Sequence, residues 1–276
     1  MSVSILVLTY NEEANLPACL ESVRWSDDVH VVDSGSTDRT VEISRSFGAQ
    51  VYVHPFDNFS AQRNWALQNA EFRHDWVLVL DADERIPPDL AEEVRGGVGH
   101  APSGVAGFEM RRKVYFLGGW LKNAGQFNGF WFLRLFRYRA ARYEERSVNE
   151  YPLVNGDVWR LNGALLHDNR KGITDLLAKF NRYATLEAEE TLRLRRGAAP
   201  TDLPARLMGS PAERRRWLKH LSMRLPFRGL VKFLYLYVWR RGFLDGLPGF
   251  FYCALLSSVE FLISLKVGAR RRQLPA

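Results

Sequence analysis

The sequence predicts an α/β fold: a mostly parallel central sheet with flanking helices, followed by a helical C-terminal extension. Three observations predict it. Apolar runs of strand length occur at residues 3–9, 29–32 and 77–80, and they are not the alternating runs of a half-solvated strand. Stretches of helical period separate them, which makes βαβ units with right-handed crossovers. Each run ends abruptly in a polar cluster, and the carboxyl ends of parallel strands are where open α/β sheets bind ligands.

Taken in order, Val3 to Thr9 reads as the first strand, and Leu16, Leu20 and Val23 then fall on one face of a helix. Val29, Val31 and Val32 make a second strand that runs into Asp33-Ser34-Gly35-Ser36-Thr37-Asp38. Those small polar residues supply a turn and a helix N-cap, and the next helix carries Val41, Ile43 and Phe47. Val51 to His54 reads as a third strand and Ser60 to Ala70 as a helix. Val77-Leu78-Val79-Leu80 forms a central strand that ends in Asp81-Ala82-Asp83-Glu84. Alternation along an extended chain puts Asp81 and Asp83 on the same side. Two oxygen donors aimed at one point suit a hard divalent cation, Mg²⁺ or Mn²⁺, and through it a diphosphate. An isolated Asp-x-Asp is also a common solvated turn, so the upstream clusters carry the argument. No Gly-x-Gly-x-x-Gly and no Gly-x-x-x-x-Gly-Lys-Ser/Thr is present, which argues against a dinucleotide fold or a P-loop.

Four pieces in this order carry a resemblance to a known family: Leu8-Thr9-Tyr10-Asn11-Glu12-Glu13, Val32-Asp33-Ser34-Gly35-Ser36-Thr37-Asp38, Gln62-Arg63-Asn64 and Leu80-Asp81-Ala82-Asp83-Glu84. The chain resembles the family 2 glycosyltransferases of the GT-A fold, and within them the enzymes that add sugars to lipopolysaccharide core. Arg134-Leu135-Phe136-Arg137, Val148-Asn149-Glu150, His167 and Arg241 to Gly246 resemble the same subgroup. The resemblance implies an inverting, metal-dependent transfer from a nucleotide sugar, with a UDP-sugar the favoured donor. It implies that Asp83 ligates Mg²⁺ or Mn²⁺, and that Asp81, beside Ala82, contacts the ribose or the metal. Asp33 would read the base, Thr9, Tyr10, Asn11 and Glu12 would line the nucleotide pocket, and Arg63 would contact base or phosphate unless it is a structural ion pair. Glu150 matches the position of the catalytic base, with Glu144 and Glu145 as near rivals and Asp157 as a weaker one. The subgroup often has His where Asn149 stands. His167 follows a short apolar run and is either a late metal ligand or a strand-end residue bonded to backbone. The glycine- and aromatic-rich stretch Gly118 to Trp131 suits acceptor recognition or a core under a loop.

The chain divides on this reading into a catalytic part, residues 1–195, and a tail, 196–276. Within the first, 1–110 binds the nucleotide sugar and 111–195 carries the acceptor and base half. Residues 196–213 read as a loop. The tail is basic and aromatic, from Arg214-Arg215-Arg216-Trp217 through Arg224, Arg228, Lys232, Arg240 and Arg241. It carries much of the net charge of +7. Gly246 to Val259 is uncharged and ends at Glu260, short of the roughly 20 apolar residues that span a bilayer. Basic residues interleaved with aromatics describe a segment lying on an anionic membrane face. The expected partners are a nucleotide sugar, a lipid-linked saccharide such as lipopolysaccharide core, and a membrane surface, with no nucleic acid. Cys19 and Cys253 form no redox or metal motif, and the N-terminus shows no secretory signal. The expected place is the cytoplasm, at the inner face of the cell membrane.

Three other functions compete. A sugar nucleotidyltransferase needs a Gly-rich phosphate loop with a basic residue after the first strand, where Tyr10-Asn11-Glu12-Glu13 stands. A glycoside hydrolase needs two carboxylates and no nucleotide. A non-catalytic membrane or nucleic-acid binding module explains the tail and leaves the strand-end carboxylates without a purpose.

Overall fold

A computed structural model describes residues 2–125, 127–145, 150–195, 204–209, 211–222 and 227–272. Gln126, Val148, Asn149, Arg224 and the stretch 196–203 of the expected loop lie outside the described residues.

The parallel half forms as the apolar runs predict. Strands β1 (Ser4–Thr9), β2 (Val29–Asp33), β3 (Gln50–Val53) and β4 (Trp76–Asp81) lie side by side in the order β3-β2-β1-β4, all parallel. The connecting helices are α1 (Leu16–Glu21), α2 (Thr40–Ser46) and α3 (Phe59–Asn69). Asn58 caps α3 by accepting from the Ala61 amide at 2.9 Å. After β4, the short β5 (Glu84–Arg85) leads into α4 (Pro88–His100). The sheet then continues through β6 (Val105–Phe116), β7 (Gly119–Trp120) and β8 (Phe132–Arg137). A hairpin of β9 (Ala141–Tyr143) and β10 (Pro152–Val154) stands apart, and β11 (Asp157–Asp168) returns to the sheet. β8 inserts antiparallel between β4 and β6, β11 lies parallel to β6, and β5 closes the far edge against β11. Six strands, β1–β4, β6 and β11, share one direction, and the sheet is mostly parallel as expected.

Apolar side chains fill both faces. Ile5, Val7, Leu78 and Leu80 join Leu16, Leu20, Leu90 and Val94 on one side, and Leu6, Val32, Val77 and Val79 join Ala66, Leu67 and Phe136 on the other. Each fully buried Leu, Ile or Val contributes about 1.5–3 kcal/mol.

Two helices differ from their sequence reading. α1 stops at Glu21, and Val23 is buried in the turn beyond it. α2 buries Thr40 and Ser44, while Val41, Ile43 and Phe47 are only half-buried. The inner face of α2 is polar because it holds the loop after β1: Thr40 Oγ1 accepts from the Glu12 amide at 2.7 Å and donates to Asp38.

The tail is helical. α5 (Ile173–Arg195) is followed by α6 (Pro211–Ser222), so 211–213 belong to a helix and not to the expected loop. α7 (Arg228–Leu234) continues as a π-helical turn to Trp239, and α8 (Gly246–Arg271) closes the described chain. Glu260 does not interrupt α8: an ion pair with Arg228 at 2.5 Å offsets its charge. Gly242–Arg271 is therefore one helical stretch of 30 residues, long and apolar enough by length and composition to cross a membrane. α8 packs on α5 through Ala184 and Ala188 against Ile263 and Val267.

Candidate active site

The carboxyl ends of β1, β2 and β4 open into a cleft of about 2210 Å³. Thr9 to Glu13, Asp81 to Asp83, His167 and Glu150 all line it. Hydrogen bonds explain the shape of the first loop. Asn11 takes a left-handed φ of 52°, its amide donates to Ser36 Oγ, and its side-chain oxygen accepts from the Thr37 amide at 2.8 Å. Glu12 accepts from Lys171 at 2.6 Å and from Asn15 at 2.8 Å, and burial still raises its pKa above the usual carboxylate value. Tyr10 is exposed at the cleft mouth and Ala82 is buried between the two aspartates. Asp33 is buried and its carboxylate accepts from Thr9 Oγ1, Ser36 Oγ and the amides of Gly35 and Ser36. It therefore ties the ends of β1 and β2 together.

β4 stops at Asp81, so Asp83 lies in the turn beyond it and the expected alternation does not reach it. The two carboxylates face different partners. Asp81 accepts from Arg63 and from Arg134, each at 2.7 Å. Burial opposes its ionisation, yet the two guanidiniums outweigh that and hold the carboxyl well below its usual range. Asp83 sits 3.3 Å from His167 Nε2 and 3.6 Å from Lys179 Nζ. Its carboxyl is also depressed against the cost of burial, by the charges of His167 and Lys179. Asp83 in turn keeps Lys179 protonated although burial opposes it.

Asp83 and His167 thus offer a carboxylate and an imidazole at one place. That donor set suits Mn²⁺ or Mg²⁺ if phosphate oxygens and water complete the shell. His167 Nδ1 is buried with no hydrogen-bond partner among the described residues, so no second group yet fixes the ring. Among the described residues no three His, Cys, Asp or Glu side chains converge on one point, so a complete protein cage is absent from that set.

Glu150 lies across the cleft and is ion-paired with Arg63. Arg63 therefore bridges the end of β4 to the hairpin loop after β9. Its neighbours use the same helix turn: Gln62 contacts His54 and Ser34, and Asn64 exchanges two hydrogen bonds with the backbone of Tyr143. The rivals for the base separate. Glu144 is buried in an ion pair with Arg216. Asp157 starts β11, eleven residues before Asp168 at the cleft end, about 35 Å along the strand. Glu145 is exposed beside the cleft loop.

The model of the family described as "Glycosyl transferase family 2" matches residues 4–151, more than half of the chain. The chain belongs to glycosyl transferase family 2. Its α/β sheet, with the antiparallel β8 inserted into a parallel set, is the GT-A arrangement that the resemblance implies. A lipopolysaccharide core biosynthesis glycosyltransferase, LpsC of Rhizobium meliloti, is 29% identical over 199 residues, 69% of this chain and 72% of that protein. An uncharacterised glycosyltransferase of Rickettsia typhi is 27% identical over 203 residues, 69% and 68% of the two chains. Among solved structures, Staphylococcus aureus TarS 1-349 with UDP-GlcNAc overlays at a TM-score of 0.46 and 16% identity, covering 99% of this chain and 93% of that one.

Sequence reasoning missed three residues of this family 2 site. Arg134 pairs with Asp81 and with the fully buried Glu84, which also caps the Asp81 amide. Lys179 and Tyr183, one turn apart on α5, also line the cleft. The available signals were a charge inside the apolar run Phe132–Arg137, and a lysine one turn before a tyrosine.

Proposed function

We propose that this family 2 glycosyltransferase moves a sugar, with inversion, from a nucleoside diphosphate sugar, UDP-linked by preference, to a hydroxyl of a lipid-linked saccharide such as lipopolysaccharide core. One observation carries the reading: a single cleft at the parallel strand ends joins the Thr9–Glu12 loop, the Asp81–Asp83 turn, His167 and Glu150. The similarity to LpsC supports the acceptor class.

In this mechanism the nucleotide lies against Thr9 to Glu12 and Asp33, with Asp81 and Ala82 near the ribose. Asp83 and His167 would hold Mn²⁺ or Mg²⁺, which when bound neutralises charge developing on the leaving diphosphate. Glu150 takes the proton of the acceptor hydroxyl as its oxygen bonds to the anomeric carbon, while the bond from that carbon to the diphosphate breaks and its electron pair leaves with the phosphate. Arg63, ion-paired with Glu150, orients that carboxylate before the acceptor arrives. The exposed apolar surface of α7 and α8 supports an enzyme that works at the cytoplasmic face of the membrane, beside its acceptor.

The test is thermal unfolding with UDP, with and without Mn²⁺, in wild type and Asp83→Ala. A ligand held only by the folded state raises the midpoint. A rise with UDP that needs Mn²⁺ and vanishes in Asp83→Ala is expected. A UDP shift indifferent to both the metal and the substitution removes the metal from the proposal.

A further inference from the structure

We propose that Arg216, on tail helix α6, is a positioning residue for the transfer step: it clamps the β9–β10 hairpin at Glu144 and Tyr151, next to Glu150. The inference rests on Glu150 being the base. β9 and β10 pair antiparallel, with Tyr143 opposite Pro152. The hairpin is closed at Glu144 and Tyr151 by two hydrogen bonds, one between backbone groups and one to the Glu144 carboxylate. The Glu144 amide donates to the Tyr151 carbonyl at 3.1 Å, and the Tyr151 amide donates to Glu144 Oε1 at 3.0 Å. That same carboxylate receives both ends of the Arg216 guanidinium, Nη1 to Oε2 at 2.7 Å and Nη2 to Oε1 at 2.5 Å. Glu144 and Arg216 are 1% and 6% exposed, so water does not screen the pair. Bidentate guanidinium–carboxylate pairing fixes orientation as well as distance. The residue next to Tyr151 is Glu150, which reaches Arg63 on the other side.

The base is thus held between two arginines from distant parts of the chain. Arg63 touches its carboxylate, and Arg216 acts through Glu144 and the backbone at Tyr151. α6 also brings Leu218 and Leu221 to the wall of the same cleft. Four further bonds from the tail hold the segment from Asn123 to Asn128 at its described residues: Asp245 accepts from the amides of Asn123 and Ala124, and Arg240 donates to the carbonyls of Gly125 and Asn128. A segment that reads from sequence as a membrane-facing appendage therefore reaches into the acceptor half of the enzyme.

The experiment uses the full chain with UDP-glucose, UDP-galactose and UDP-N-acetylglucosamine as donors and detergent-dispersed lipopolysaccharide as acceptor. It compares Arg216→Met, Arg216→Lys, Glu150→Gln and the Arg216→Met/Glu150→Gln double variant, and it follows backbone hydrogen exchange at Tyr151 without ligands. Displacing a base by about 1 Å costs on the order of 10²-fold. Arg216→Met is expected to lower kcat by about that factor with the donor KM unchanged, and to speed Tyr151 exchange. Arg216→Lys should recover part of the loss, and the double variant should be no slower than Glu150→Gln alone. Should Arg216→Met fold poorly, Glu144→Gln tests the clamp from its other side with the same readouts. Full kcat in a clamp variant, unchanged Tyr151 exchange, or a multiplicative loss in the double variant overturns the proposal. Full turnover in Glu150→Gln is a different result: it overturns the base assignment on which the proposal stands.

Discussion

Arg63 is buried at 7% exposure and spans two carboxylates, Asp81 at the end of β4 and Glu150 across the cleft. A guanidinium shared by two carboxylates fixes their orientation as well as their charge balance. Arg63→Gln releases both carboxylates at once, so kcat is expected to fall by about 10²-fold, the cost of displacing a reacting group by about 1 Å. Unchanged kcat would show that neither Asp81 nor Glu150 needs this arginine for the transfer step. The triplet Gln62-Arg63-Asn64 was legible through the family resemblance alone, since nothing in its local pattern says which partners it meets. Arg134 and Lys179 were not legible, since nothing local says that an arginine in an apolar strand finds Asp81 and Glu84, or that a lysine on α5 finds Asp83. Those pairs exist only once β8 has inserted beside β4 and α5 has crossed the cleft.

At the scale of elements, the amino ends of the parallel strands are joined by a cluster opposite the cleft. Asp28 accepts from Ser4 Oγ at 2.5 Å, from His30 Nε2 at 3.0 Å and from the Arg73 amide at 2.9 Å, linking β1, β2 and the segment entering β4. Burial opposes the charge on Asp28, but the bonds from Ser4, Arg73 and His30 prevail and hold its carboxyl below the ordinary value. A depressed pKa contributes stability above the unfolded value near 3.9, and that stability is lost as pH falls through the folded value. Asp28→Asn should cost about 1–3 kcal/mol near neutral pH, because the Ser4, His30 and Arg73 donors lose a charged acceptor. The variant should then lose less than wild type between pH about 5 and pH about 3, as measured by urea midpoints. Parallel slopes for the two proteins would remove Asp28 as the source. The parallel half was legible because its strands are continuous apolar runs with helices between them. The second half of the sheet was not, because β6 and β11 are long, mixed in polarity and paired across about 50 residues, so only register in three dimensions distinguishes their faces.

The tail helices expose a set of apolar side chains that a core does not explain. Phe227, Leu230, Leu234, Trp239, Leu244, Leu247 and Phe261 are all exposed on the tail helices, with Trp239 at 81% and Leu247 at 71%. Arg240, Arg241, Arg270 and Arg271 punctuate the same stretch. Apolar groups left in water beside cations are costly in solution and favourable at an anionic bilayer surface, where burial and charge attraction add. Deleting the tail cannot test this alone, since α8 packs on α5 and α6 holds Glu144. Surface substitutions separate the two roles. Trp239→Glu and Leu247→Glu each remove burial worth about 1.5–3 kcal/mol, which amounts to roughly a tenfold or greater loss of partitioning per site. Sedimentation with phosphatidylglycerol-containing vesicles should show that loss, with wild-type binding weakened by salt because charge attraction is screened. UDP-induced thermal stabilisation should remain, because neither residue lines the cleft. Undiminished vesicle binding in the double variant, at a salt-insensitive level, would assign this face to another copy or another protein instead of the membrane.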